Sequence, residues 1–191
     1  MLRVISGSAK KRKLKTPPGM GVRPTSDRVK EALFNILGNS VPDCSFLDLF
    51  AGSGNIGIEA LSRGAASAVF VENNYKNLLV IKENLHLTGL EDKARLIRGE
   101  VAAVLSGLGL ENQAFDIIFL DPPYLKDYEI KTLAAIARHR LLKPDGRVIV
   151  ESSKNQHLPP DAGGLEIIRQ EKYGDTVLSF YRYMASAGEG D

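Results

Sequence analysis

Apolar residues recur along the chain in two rhythms. Short runs at Phe46-Leu47 with Leu49-Phe50, at Ala68-Val69-Phe70-Val71 and at Ile117-Ile118-Phe119-Leu120 suit strands covered on both faces. Between them apolar residues fall at helical spacing: Ile56, Ile58, Ala60 and Leu61, then Leu78, Leu79, Ile81 and Leu85, then Val101, Val104 and Leu105. The pattern predicts strands over 45–50, 67–72, 94–98, 115–120 and 147–151, the last entered by a turn at 142–146. Helices are predicted over 55–63, 74–87, from Val101 through Leu105, and over 129–139. Ahead of these, Val29, Ala32, Leu33, Ile36 and Leu37 predict a helix capped by Thr25 or Ser26 and ended by Gly38, with Arg28, Lys30, Glu31 and Asn35 off its buried face. Two final strand-like segments, 165–173 and 176–183, flank Gly174-Asp175, a two-residue hairpin signal. Strands alternating with helices imply an α/β, Rossmann-like, doubly wound and mostly parallel sheet with right-handed crossovers, closed at one edge by the antiparallel hairpin.

At 191 residues and 43% hydrophobic content the chain has enough material for one sizeable core and too little for two ordinary domains. The expected organisation is an arm over 1–23, a domain over 24–184 and a tail over 185–191 that lacks large apolar residues. In the arm Leu2, Val4 and Ile5 are strand-like, Gly7 and Ser8 mark a hairpin turn, and Pro17-Pro18-Gly19 with Gly21 end it. The single cysteine, Cys44, excludes an internal disulfide, and no Cys/His cluster suggests a metal. Without an apolar h-region or a run near the ~18 residues of a membrane span, a cytoplasmic protein is expected.

Charge changes the picture of the arm. The net charge is only +2, but residues 1–30 hold nine cations against Asp27 alone, so this segment is +8 and the remainder −6. A basic arm on a mildly acidic body points to a polyanionic partner, nucleic acid rather than membrane, because no amphipathic apolar face accompanies the cations. A localisation tract or a solvated loop at Lys10 to Lys13 is also compatible with the run.

Leu47-Asp48-Leu49-Phe50-Ala51-Gly52-Ser53-Gly54-Asn55-Ile56-Gly57 reads as a buried strand turning through glycines into a helix. Gly52 and Gly54 permit a tight turn against a ligand, and Gly57 lets the helix lie close to the sheet. Asp48 would repel a pyrophosphate and suits a cationic ligand such as the sulfonium and amino group of S-adenosylmethionine. Glu72, at the tip of the second strand, is placed to accept hydrogen bonds from ribose hydroxyls.

The fourth strand runs into Asp121-Pro122-Pro123-Tyr124. The prolines lack N–H groups and hold Asp121 and Pro122 extended, leaving the Asp121 carboxylate and the Pro122 carbonyl as two fixed acceptors. Such a pair suits the –NH2 of a base: two hydrogen bonds favour a pyramidal nitrogen whose lone pair is directed at a methyl donor. The carboxylate also stabilises positive charge developing there, and Tyr124 offers a face for stacking. An amine acceptor does not separate guanine N2 from adenine N6, so a DNA adenine-N6 methyltransferase stays open on these residues. A non-catalytic RNA-binding module would leave Asp121 to Tyr124 without a purpose. The histidines, His86, His139 and His157, have neither nucleophile nor metal-ligand spacing.

Arg3-Val4-Ile5-Ser6-Gly7 with the basic run, Arg23-Pro24-Thr25-Ser26-Asp27-Arg28-Val29-Lys30-Glu31-Ala32-Leu33, Asp48 to Gly54 and Asp121 to Tyr124 together resemble the RsmD family of bacterial 16S rRNA guanine-N2 methyltransferases. That family lies within the class I S-adenosylmethionine-dependent enzymes, and the likeness spans nearly the whole chain. It implies a seven-stranded sheet of order 3-2-1-4-5-7-6 with strand 7 antiparallel. It implies that Asp48, Phe50, Ala51, Gly52, Ser53 and Gly54 bind the methionine part of S-adenosylmethionine, Glu72 and Asn73 the ribose, and Glu100 with Arg98-Gly99 the adenine. Asp121, which also adjoins the cofactor, Pro122, Pro123 and Tyr124 would be catalytic. Arg3, Lys10, Lys11, Arg12, Lys13, Lys15, Arg23 and Arg28 would face RNA. The implied partner is 16S rRNA within a partly or fully assembled small ribosomal subunit, met by a monomer.

Overall fold

The computed structural model describes residues 2–17, 26–123 and 128–184. Twelve elements follow in chain order: α1 (Asp27–Leu37), β1 (Ser45–Leu49), α2 (Asn55–Ser62), β2 (Ser67–Glu72), α3 (Tyr75–Thr88), β3 (Ala94–Arg98), α4 (Val101–Leu110), β4 (Phe115–Leu120), α5 (Tyr128–Arg138), β5 (Leu142–Ser153), β6 (Leu165–Tyr173) and β7 (Thr176–Tyr183). The strands form one sheet of order β3-β2-β1-β4-β5-β7-β6, parallel from β3 to β5, with β7 antiparallel to both its neighbours. This is the expected Rossmann-like architecture. Segments 18–25, which include Arg23, Pro24 and Thr25, 124–127, with Tyr124, and the tail 185–191 lie outside the described residues.

Alternation along β1 and β2 divides the core. Phe46 and Phe70 join α1, α2 and α3 on one face through Leu33, Ile58 and Ile81, while Leu47, Leu49 and Val71 join α4 and α5 on the other through Leu105, Leu133 and Ile136. Among the described residues no helix is long and apolar enough to cross a membrane.

Two expectations are corrected. The buried face of α1 carries Val29, Lys30, Leu33, Phe34 and Leu37, so Lys30 is fully buried and not on the polar side. Ser26 caps the helix, accepting from the Val29 N–H at 3.3 Å. The predicted turn at 142–146 lies within β5: Leu142 pairs with Phe115 and Arg147 with Ile117, so the intervening segment bulges from the ladder around Pro144, which has no N–H to donate.

The arm is built into the core. Val4 and Leu14 donate to the Arg12 and Leu2 carbonyls at 2.9 Å, closing a hairpin whose Leu2, Val4, Ala9 and Leu14 are buried in the cluster of α1 and α2. Its backbone is held by side chains from the domain. Glu59 accepts from the Ile5 and Ser6 N–H groups at 2.8 and 3.0 Å, and Ser62 Oγ accepts from Ala9 at 3.0 Å. Lys30 Nζ donates to the Arg3 carbonyl at 2.6 Å and lies 3.3 Å from Glu59. Burial pulls the Lys30 ammonium below its ordinary value, and Glu59 opposes this. Removing one member of such a pair leaves a buried charge and costs about 3–5 kcal/mol.

Candidate active site at the switch point of the sheet

Strand order reverses between β1 and β4, so the chain leaves β1 for α2 on one face and β4 for α5 on the other. The carboxyl ends therefore part and open a crevice. A cavity of about 460 Å³ occupies it. Its walls come from Asp48, Phe50 to Ser53, Asn55 and Ile56 of the first loop, Val71 to Asn73 of the second, Gly99 to Val101 of the third, and Phe119 with Asp121 to Pro123 of the fourth. Asn77, Tyr128 and the arm residues Thr16 and Pro17 complete it. Donor-loop and acceptor-loop residues predicted from distant parts of the chain thus share one space.

The glycine loop is tightly wound. Phe50 has φ +60°, a left-handed conformation that a bulky residue adopts at a cost of order 1–3 kcal/mol, of the kind that collects at ligand sites. A Cβ on Gly57 would sit 2.3 Å from the Phe70 ring, which is why α2 approaches the sheet only through a glycine. Gly54, with φ +76°, forms the turn and is not among the residues lining the cavity.

Carboxylates dominate the electrostatics. Asp48 is 2% exposed, and its Oδ2 accepts from the Gly57 N–H at 2.9 Å. Burial pushes its carboxyl up to about 8, with the nearby Glu72 charge adding to the shift and the Gly57 N–H opposing it. Glu72 Oε2 accepts from Gly52 at 2.9 Å and Oε1 from Asn74 at 2.8 Å, so it clamps the glycine loop to the start of α3 as well as facing the cavity. Asn73 Nδ2 donates to Glu100 Oε1 at 2.9 Å, linking the second and third loops. Asp121 is half-buried, and desolvation holds its carboxyl well above the usual range, with the charges of Glu151, Asp48 and Glu129 acting the same way. Among the described lining residues there is no lysine or arginine. A space with apolar walls at Phe50, Ile56, Val71, Val101 and Phe119, acids at both ends and no cation suits a ligand that is flat and apolar in part, carries hydroxyls and bears positive charge.

Thr16, Pro17, Asn55, Asn77, Tyr128, Glu129 and Glu151 went unassigned in the sequence. Glu151 has a signal in retrospect, since it follows Val148-Ile149-Val150 as Glu72 follows Ala68 to Val71. Tyr128 packs against Phe50 with ring centroids 5.9 Å apart. Nothing local marks Thr16 or Pro17, which reach the cavity because buried Asn84 grips Lys15, accepting from its N–H at 2.7 Å and donating to its carbonyl at 3.0 Å.

Of the basic positions, Lys10, Lys11, Arg12 and Lys13 are exposed on the turn and far side of the arm. Arg28 is exposed on α1. Arg3 pairs with Asp27 at 3.0 Å, and Lys15 pairs with Glu83. Among the described residues no group of His, Cys, Asp and Glu is arranged to hold a metal.

Comparison with known proteins gives a consistent picture. Residues 2–182 match the family model described as conserved hypothetical protein 95. A Bacillus subtilis (strain 168) protein named "Putative rRNA methyltransferase YlbH" is 40% identical over 182 residues, 95% of this chain and 98% of that protein. Ribosomal RNA small subunit methyltransferase D of Escherichia coli (strain K12) is 32% identical, with 100% of this chain and 93% of that protein covered. The solved structure of a hypothetical protein from Thermus thermophilus superposes with a TM-score of 0.83 at 30% identity, covering 95% of this chain and 99% of that one.

Proposed function

The chain belongs to the conserved hypothetical protein 95 family, the RsmD family, and from that premise we propose that it methylates ribosomal RNA of the small subunit, with S-adenosylmethionine as methyl donor. The acceptor is the exocyclic N2 amine of a guanine, guanine 966 of 16S rRNA by the resemblance. The observation that carries this reading is the cavity shared by the Asp48-to-Ser53 loop, Glu72 and the Asp121-Pro122 acceptors.

When bound, S-adenosylmethionine supplies a methyl group on a cationic sulfur. Asp48 and Asp121 answer that positive charge, Glu72 and Asn73 take the ribose hydroxyls, and Gly99 with Glu100 flanks the adenine. In a cavity that favours neutral carboxyls, a neighbouring cation restores the ionised form of Asp121. Ionised Asp121 and the Pro122 carbonyl then accept the two amine hydrogens. This orients the nitrogen lone pair and offsets the charge that grows on nitrogen as the methyl transfers. Pro123 and Tyr124 stiffen and line the approach of the base. Lys10, Lys11, Arg12 and Lys13 grip phosphates around the extruded nucleotide, contacts that position without reading sequence.

A tritiated-methyl transfer assay on free 16S rRNA, partly assembled small subunits and duplex DNA tests the reading. Incorporation into the RNA substrates alone is expected. Incorporation into DNA alone, or binding of RNA with no transfer to any substrate, overturns it.

A further inference from the structure

Asn55, the first residue of the eight-residue α2, is 5% exposed and lines the cavity. Its amide cannot be oriented either way. Lys30 Nζ lies 2.6 Å from Oδ1, and an ammonium only donates, so the oxygen belongs to Lys30 and Nδ2 keeps both of its N–H donors for another partner. Nδ2 is buried and has no hydrogen-bond partner in the protein. A buried donor left in this state is a cost to the fold that a ligand acceptor would remove.

The surroundings select the acceptor. The opening N–H groups of a helix have no intrahelical partners and carry partial positive charge, and in α2 only that of Gly57 is taken by Asp48. The Lys30 ammonium stands immediately behind Asn55. Elsewhere the described wall offers Asp48, Glu72, Glu100 and Asp121 and no lysine or arginine, so an anionic group of the ligand meets repulsion everywhere except at this corner. We infer that Asn55 Nδ2 and the start of α2 form the subsite for the α-carboxylate of the cofactor's methionine part, an inference that rests on the cofactor proposed above. Lys30, which fixes the amide through Oδ1 and holds the arm through the Arg3 carbonyl, is a positioning residue for that subsite.

Calorimetry on the full chain tests this with two ligands that differ only in the carboxylate, S-adenosylhomocysteine and S-adenosyl-3-thiopropylamine. The wild type should bind the carboxylate form about 10- to 100-fold more tightly, as expected for a hydrogen bond to a charged group. Asn55→Asp retains an acceptor for Lys30 and replaces the donors with an anion. In this variant the preference should fall to within about threefold, by loss of S-adenosylhomocysteine affinity alone. An unchanged preference, or equal weakening of both ligands, overturns the inference, as does a wild type indifferent to the carboxylate, a result that needs no variant. A wild type that binds neither ligand overturns the cofactor reading itself.

Discussion

Glu72→Ala removes a carboxylate that the glycine loop, the start of α3 and the proposed ribose site all share. The side chain is 8% exposed, and its two oxygens accept from Gly52 at 2.9 Å and Asn74 at 2.8 Å. Each hydrogen bond to a charged group is worth about 1.5–3 kcal/mol, and the open cavity lets water recover part of that for the two freed N–H groups. A net loss of about 2–4 kcal/mol follows, which in a chain of 191 residues lowers the melting temperature by roughly 4–15 °C. Affinity for S-adenosylhomocysteine should fall by a further ~10- to 100-fold because the ribose hydroxyls no longer meet their acceptor. Glu72→Gln keeps one good acceptor and turns an NH2 toward the other N–H, so it should fall between wild type and Ala on both scales. Thermal denaturation followed by titration calorimetry reads both effects. An Ala variant that melts with the wild type and binds with wild-type affinity would refute both the clamp and the ribose assignment.

Asp121→Ala should bind S-adenosylhomocysteine nearly as well as the wild type and lose turnover by orders of magnitude, because its interaction with the amine matters most in the transition state. Near-normal turnover at saturating RNA would remove it from the acceptor role. Replacing Lys10, Lys11, Arg12 and Lys13 with Gln should weaken RNA binding and reduce the magnitude of the log–log salt slope by ~0.7–0.9 for each phosphate no longer neutralised, with cofactor affinity unchanged. An unchanged slope would make the run a solvated turn. For pH, Asp48 has its folded value raised to about 8 against ~3.9 unfolded, so its contribution is full below pH ~4 and lost as pH rises to ~8, at up to ~1.4 kcal/mol per pH unit. Ligand-free protein should therefore melt progressively lower from pH 5 to 8, with Asp48→Asn showing a shallower fall. Identical slopes for the two proteins would contradict a neutral buried Asp48.

The sheet was legible because its signals are local. β2, β3, β4, β6 and β7 coincide with apolar runs bounded by turn residues, and the order followed once those runs alternated with helices. What escaped depends on partners far along the chain. Lys30 looks solvent-facing by period and is buried because Glu59 and Asn55 meet its charge. The arm looks like an appendage by composition but is fastened by Glu59, Ser62 and Asn84, whose polar side chains carry no sign of what they hold. Glu72 was readable as a cavity acid, whereas its grip on Gly52 and Asn74 appears only in three dimensions. The left-handed Phe50 leaves no trace in composition at all.

The chemical identity of the methylated nucleoside tests the central claim most directly. Small-subunit rRNA incubated with the protein and deuterated-methyl S-adenosylmethionine is digested to nucleosides and resolved by liquid chromatography and mass spectrometry. The account predicts deuterated N2-methylguanosine with the wild type and none with Asp121→Ala. Label on adenine N6 or cytosine N4, or no label from a protein that binds S-adenosylhomocysteine normally, would contradict it.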